Sequence, residues 1–326
     1  MSIKNGKKVL TYILICSITL LQFNKKAQAV SIRETDVETA ANGNELLGVS
    51  GKFENVTKDD ILNRVNEIRK EACQKGYINP STGMKLSEDD YVEIKWSSGL
   101  ELIAQLRAAE STIYESHERP NGERCFSVSY NNTQSGAENL AWNHSGMLQG
   151  IEQWYGEKED WVKQNTNTVT GHYESLINPK YKYIGMGSFI RTSGGWYGIS
   201  AELSTEDGLD ESKSDLSGEK IQIIEVQKSH IGKTKIQVPA KIKAGSKKKL
   251  NVVKKVTFSG IMGGTNITNG IILKEITWSS SKKSVASVSA DGTLNAKKAG
   301  KTTITAKIKD GKSIKTTITI QKYNYI

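Results

Sequence analysis

Residues 183–204 read "YIGMGSFIRTSGGWYGISAELS", and their reading decides the fold. Two β-prone apolar runs, "YIGMGSFIR" and "GWYGISAELS", meet at the turn "TSGG", a pattern that predicts a β-hairpin. Helical periodicity lies upstream of it. Thr57 and Asp60 have the spacing of a capping box, with Asp in place of Glu. Ile61, Val65, Ile68 and Ala72 then recur on one face. A second helix is expected after Ser97 or Ser98, with Leu102, Leu106, Ala109 and Ile113 in the same spacing. A third is expected over about 147–162, where Met147, Ile151 and Trp154 share a face and Glu157 falls at its edge. Helices first and paired strands last predict an α+β fold with an antiparallel sheet.

The chain has 326 residues, enough for about two domains. With 25% charged and 37% hydrophobic residues it belongs to the globular class, neither disordered nor membrane-spanning. Its first 29 residues are the exception. Lys4, Lys7 and Lys8 precede an apolar run over 9–23, and Ala27-Gln28-Ala29 follows. That is the layout of a secretory signal cleaved after Ala29. The run is shorter than the roughly 20 residues of a spanning helix, so no transmembrane span is expected after cleavage. Ile15 before Cys16 argues against a lipoprotein. No LPxTG-type anchor is seen, so covalent wall sorting is not expected. The expected location is secreted or extracellular, with non-covalent association with a cell wall.

Residues 30–52 read as a polar leader and 53–204 as the first domain. The stretch 205–230, opening with "TEDGLDESKSDLSGEK", reads as an acidic, polar linker. Charge is unevenly shared. Residues 221–326 carry 21 Lys, no Arg and four acids, a net +17; residues 30–220 carry −12. Two cysteines remain after the signal, Cys73 and Cys125. Spacing alone leaves a disulfide and two buried thiols equally open.

Chemistry must come from four histidines and nearby acids. His117, Glu138, Glu157 and His172 are scattered, and by spacing alone such a set arises often by chance. Their order is more informative: "SHERPNGERCF", "SGAENLAW", "WYGE", "GHY", then "YKYIGMG" and the closing hairpin. This order over residues 57–204 resembles the CAP superfamily, also called the SCP domain, of cysteine-rich secretory, antigen 5 and pathogenesis-related 1 proteins, in its bacterial form. The resemblance implies a three-layer α-β-α sandwich with a small antiparallel sheet. It also implies a central cleft in which His117, Glu138, Glu157 and His172 meet. Ala137 departs from the family's usual glycine before the Glu-Asn pair.

Two imidazoles suit a divalent ion, zinc above all, with His117 and His172 as ligands. Glu138 and Glu157 would orient those rings or act as bases, which makes them the candidate catalytic residues. The family has no generally established catalysis; its members have been linked to sterol or lipid binding, signalling and disputed proteolysis. Two readings follow. One is a non-catalytic secreted protein offering a metal or small apolar ligand cleft; the other is a metal-dependent extracellular hydrolase. No GxSxG elbow or zincin motif supports the second. Trp142, Trp154, Tyr155 and Trp161 either line an apolar groove or pack the core. Cys125 is expected to be structural, and His144 and His230 to be loop residues.

Beyond the linker, short strands are separated by "ADGT", "KAGK" and "KDGK". "ITWSSSKKSVASVSADGTLNAKKAGKTTITA" resembles the bacterial immunoglobulin-like group 2 domain, which implies a C-terminal all-β sandwich over about 231–323 with Trp278 in its core. "TFSGIMGGTNITNGIILK" reads as a longer loop. The lysines either coat polar strand faces or attract an anionic cell-wall polymer or other extracellular polyanion. Nucleic acid is not expected, since no Arg is present for bidentate base contacts.

Overall fold

The computed structural model describes residues 40–130, 133–214, 217–260 and 263–322. The expected signal, 1–29, lies outside them. The described chain forms two compact units, residues 50–222 and residues 40–49 with 223–322.

The hairpin is the centre of the first unit. In chain order the elements are β1 (Asn44–Phe53), α1 (Lys58–Lys75), β2 (Lys95–Trp96), α2 (Ser98–Ser111), β3 (Ser129–Tyr130), β4 (Thr133–Gln134) and β5 (Ala137–Asn143). Then come α3 (Met147–Tyr155), α4 (Lys158–Val162), α5 (Gly171–Ile177), β6 (Tyr183–Arg191) and β7 (Tyr197–Ser204). β6 and β7 pair antiparallel with Met186 opposite Ala201. β5 adds to the free side of β7, and residues 51–53 of β1 to the free side of β6.

Alternation along these strands builds three layers. Ile184, Met186, Ile199, Ala201 and Leu203 point to one face, where they pack on Ile61 and Val65 of α1, Trp154 of α3 and Tyr173 of α5. Gly185 and Gly187 occupy the alternate positions of β6, where α2 crosses. A Cβ on Gly185 would lie 2.0 Å from the Glu101 amide nitrogen, and one on Gly187 would lie 2.6 Å from Gln105 Cα. The "IGMG" pattern therefore brings the α2 backbone directly onto the sheet. The architecture is the expected α-β-α sandwich. Thr57 caps α1 as its sequence predicts, accepting from the Asp60 amide at 3.3 Å, and Gly76 ends the helix in the left-handed region at φ 63°.

The structure corrects several expectations. The end of the supposed leader is β1. Leu47, Val49 and Phe53 alternate and are buried, but the intervening Gly51 hides the pattern; a Cβ there would lie 2.3 Å from the Phe189 ring. The helix expected over 147–162 is two helices, α3 and α4, broken around Gly156 and Glu157. The supposed hydrated linker is largely structured. Asp210 O accepts from the Ser98 amide at 2.9 Å, and the Ser214 amide donates to buried Glu101 at 2.7 Å. Residues 218–227 form β8 (Gly218–Gln227). Cys73 and Cys125 are both free, buried thiols rather than a disulfide. Cys73 packs in the α1 core, whereas Cys125 sits beside His117 and Glu138, so each is committed elsewhere.

The second unit is all-β. It contains β9 (Ile231–Gln237), β10 (Ile242–Lys243), β11 (Lys247–Lys249), β12 (Asn251–Ser259), β13 (Thr265–Ile272), β14 (Ile276–Ser280), β15 (Ala286–Val288), β16 (Thr293–Ala296), β17 (Gly300–Ile308) and β18 (Ser313–Gln321). The expected long loop is instead the β12–β13 hairpin, with Val256 opposite Thr268. β10, β18, β17 and β14 form one sheet; β11, β16 and β15 form another. Ile304, Ala306, Ile318 and Ile320 pack inward with Leu250, Val252, Leu294 and Ala296. Trp278 is partly buried against this core rather than within it. Among the described residues no helix is long and apolar enough to cross a membrane.

Candidate functional site

The expected site residues form two His–Glu pairs. His117 follows α2 in a turn closed by the hydrogen bond from the Cys125 amide to His117 O, 3.0 Å. Its Nδ1 lies 2.7 Å from Oε1 of Glu138, on the edge strand β5. His172 stands in the first turn of α5, with Nδ1 2.6 Å from Glu157 Oε1. The other oxygen of Glu157 accepts the backbone amides of His172 and Tyr173, each at 3.1 Å. The break between α3 and α4 is what frees the Glu157 carboxylate to cap α5. Arg69 of α1 anchors the far end of α5, donating to Leu176 O and Asn178 O at 3.0 and 3.2 Å.

Neighbouring residues of β5 serve the two pairs. Successive side chains on a strand leave opposite faces. Glu138 turns towards α2, while Asn139 donates to His172 O at 3.0 Å and accepts from Ser175 at 2.7 Å. Trp154 lies beneath His172, ring centroids 6.4 Å apart.

Glu138 is buried and held by a guanidinium. Arg107 donates to its two oxygens at 2.6 and 3.2 Å, and to Glu110 at 2.7 Å. Arg119 donates to Glu110 at 2.8 Å. Burial pushes the Glu138 carboxyl up. The hydrogen bond from His117 and the charge of Arg107 outweigh that and hold it at about 2. Glu138 is thus ionised at neutral pH, so His117 Nδ1–H donates to it, and Nε2 is the ring nitrogen left for another partner.

Directly opposite Glu138 in the β5–β7 register stands Glu202, fully buried. Burial, then the charge of Glu138, push its carboxyl well above the usual range. Its Oε1 accepts from Ser200 at 2.8 Å, while its Oε2 meets no donor among the described residues. A protonated Glu202 would carry its own donor at that oxygen, beside the Glu138 carboxylate it faces across the register.

Three possible metal donors, His117, Cys125 and Glu138, lie within 4.8 Å of one another. Among the described residues this is the one group of three or more that converges so closely, and it includes neither His172 nor Glu157. The Cys125 thiol is pushed up to about 12, chiefly by burial and then by the charge of Glu138. It is a neutral thiol at physiological pH, not a thiolate.

Sequence reasoning named the four residues as one cleft rather than as two His–Glu pairs, and missed Arg107, Glu110, Arg119 and Glu202. Arg107 and Glu110 are spaced i, i+3, which reads as an ordinary solvent pair on a helix surface. Glu202 sits at an alternate position of β7 that looks solvent-facing until α2 is seen to cover it. The aromatic residues considered for a groove are anchored instead. Trp154 is 1% exposed with Nε1 bonded to Leu140 O. Trp142, Trp161 and Tyr155 bond to Ser111 O, Ile78 O and Glu71 respectively. His144 stacks on Trp196, and His230 on Phe258.

Residues 62–200 match the model of the cysteine-rich secretory protein family, CAP, and residues 245–319 match the group 2 bacterial Ig-like domain. The chain carries a CAP domain followed by a bacterial Ig-like domain. A solved structure described as "Structure of BmVAL-1" is similar to the chain at 18% identity and a TM-score of 0.32. The match covers 50% of this chain and 82% of that one. No curated protein matches the chain. These two domain types suit an extracellular setting.

Proposed function

We propose that this is a secreted, wall-associated protein whose CAP domain presents two imidazoles to a divalent cation without hydrolysing a substrate. Its basic Ig-like domain holds it on an anionic polymer. The observation that carries the reading is the saturation of both carboxylates. Each glutamate takes the Nδ1 of its own histidine, and neither ring has an Nε2 hydrogen bond among the described residues. Carboxylate-oriented imidazoles of this kind are good ligands for zinc or a similar ion. In this reading His117 and His172 are the residues that would hold it, although the one close group of possible donors among the described residues pairs His117 with Cys125 and Glu138. A bound ion would supply Lewis acidity to whatever ligand completes its coordination.

The same arrangement disfavours the hydrolase reading. A general base works best with a pKa near the working pH. Glu138, at about 2 and paired with Arg107, is a weak one. Glu157 has both oxygens engaged by three donors.

Isothermal titration of the purified chain with zinc tests the proposal. The expected result is stoichiometric binding that falls at least tenfold in His117→Ala and in His172→Ala, with no turnover of peptide and ester libraries. A robust, EDTA-sensitive hydrolysis abolished by His172→Ala would establish the enzyme instead. Sedimentation with Gram-positive walls tests the second half. Retention at low salt and release at high salt are expected, because exposed charges are screened over ~8 Å at physiological ionic strength. Equal retention on walls stripped of anionic polymer would remove the polymer from the proposal.

A further inference from the structure

Resting on the polyanion reading, we propose that one face of the Ig-like domain, the outer face of the β10-β18-β17-β14 sheet, docks a polyol-phosphate polymer. The register places that face residue by residue. Lys307 stands between Thr277 and Ser313, and Thr305 between Ser279 and Lys315. The next rows pair Thr303 with Thr317 and Lys301 with Thr319, and Lys243 of β10 flanks Gln321. Every one of these positions carries an ammonium, a hydroxyl or an amide. Within these strands the face has no acid and no large apolar side chain; Glu275 stands just before β14, where its O accepts from the Lys309 amide at 2.9 Å. Lys243, Lys301, Lys307 and Lys315 are exposed, and none has an ion pair among the described residues. Elsewhere in the unit acids do neutralise lysines: Lys249 pairs with Asp291, and Lys254 with Glu45.

The chemistry of the face selects its occupant. Successive rows lie about 6.6 Å apart along the strands and neighbouring strands about 4.8 Å apart, so cations and hydroxyls are interspersed across the face at those spacings. A chain that alternates phosphates with hydroxylated carbons offers both complements. Lysine ammoniums accept a phosphate from any direction, whereas a membrane would call for apolar side chains to enter it. The threonine hydroxyls serve as donors and acceptors for the polyol.

The test is equilibrium binding of the purified full chain to a soluble polyol-phosphate polymer across a salt series. With Lys301, Lys307 and Lys315 all changed to Gln, the slope of log K against log salt should become shallower by about two. This follows from ~0.7 per phosphate contact on a single flexible chain. A count-matched variant, Lys247, Lys248 and Lys283 to Gln, should keep the wild-type slope. Thr303→Val with Thr317→Val should lose several-fold affinity for the polyol polymer and none for inorganic polyphosphate, which has no hydroxyls. Equal losses in the two lysine variants would overturn the assignment of the face and leave the polyanion reading standing. Tighter binding to a sulfated glycan or to anionic vesicles would overturn the choice of occupant. No salt-sensitive binding of the full chain to any polyanion would overturn the parent reading itself.

Discussion

Arg107, Arg119, Glu110 and Glu138 are buried together, and their four charges cancel. Glu202 is a further buried carboxyl beside them; its ionisation would add a negative charge to that balanced set, which is costly in a buried site. Opposite pH effects follow. Glu138, depressed to about 2, contributes stability that is present above the ordinary glutamate value near 4.3 and is lost as pH falls through about 2. Glu202, raised, keeps its proton in the folded state while the unfolded chain loses it above about 4.3. Its contribution to stability therefore falls as pH rises from there towards its folded value. Glu202→Gln, neutral and nearly isosteric, is expected to raise Tm at pH 8 by several degrees and to change it little at pH 4. Thermal melts at the two pH values check this; a lower Tm at pH 8 would mean that Glu202 is charged there. At this scale the histidines and their glutamates were legible because their motifs come in a fixed order. The arginines and Glu202 were not, because nothing in a single sequence shows which polar face another element will cover.

The hairpin was readable because turn chemistry and β-prone runs are local signals. The use made of its glycines was not, since the close approach of α2 is a contact between distant segments. Gly187→Ala would place a methyl 2.6 Å from the Gln105 backbone, which has no rotamer by which to yield. Overpacking of this kind costs ~1–3 kcal/mol, so Tm should drop by several degrees while β6 stays paired. Thermal unfolding with far-UV circular dichroism measures this, and an unchanged Tm would show that α2 can shift. The third helix was misread for a related reason. Met147, Ile151 and Trp154 carry a helical period into α3, but continuing it past Gly156 would keep Glu157 on a helix face. The break spends two positions outside regular helix and gains three hydrogen bonds to α5.

Across the whole chain, charge segregation was plain from composition, and the two domain types from ordered motifs. The oxidation state of the cysteines was not, because one pair of thiols gives no pattern to read. Cys73 and Cys125 are 6% and 5% exposed and unbridged. Adding a reductant should leave the Tm unchanged, and thiol reagents should label both sites only after denaturation. A Tm that falls on reduction would reveal a bridge.

The segment after β7 bears on how the protein is cut for study. Its short polar residues invite truncation at Ser204, as though nothing beyond belonged to the CAP domain. Glu101 takes hydrogen bonds from both the amide and the hydroxyl of Ser214, and burial already pushes its carboxyl up. A fragment stopping at 204 would strip those donors and leave that acid in the interior with fewer partners. Such a fragment would be prone to aggregate for a reason unrelated to the fold it was made to represent, and ending the domain beyond Ser214 avoids the artefact.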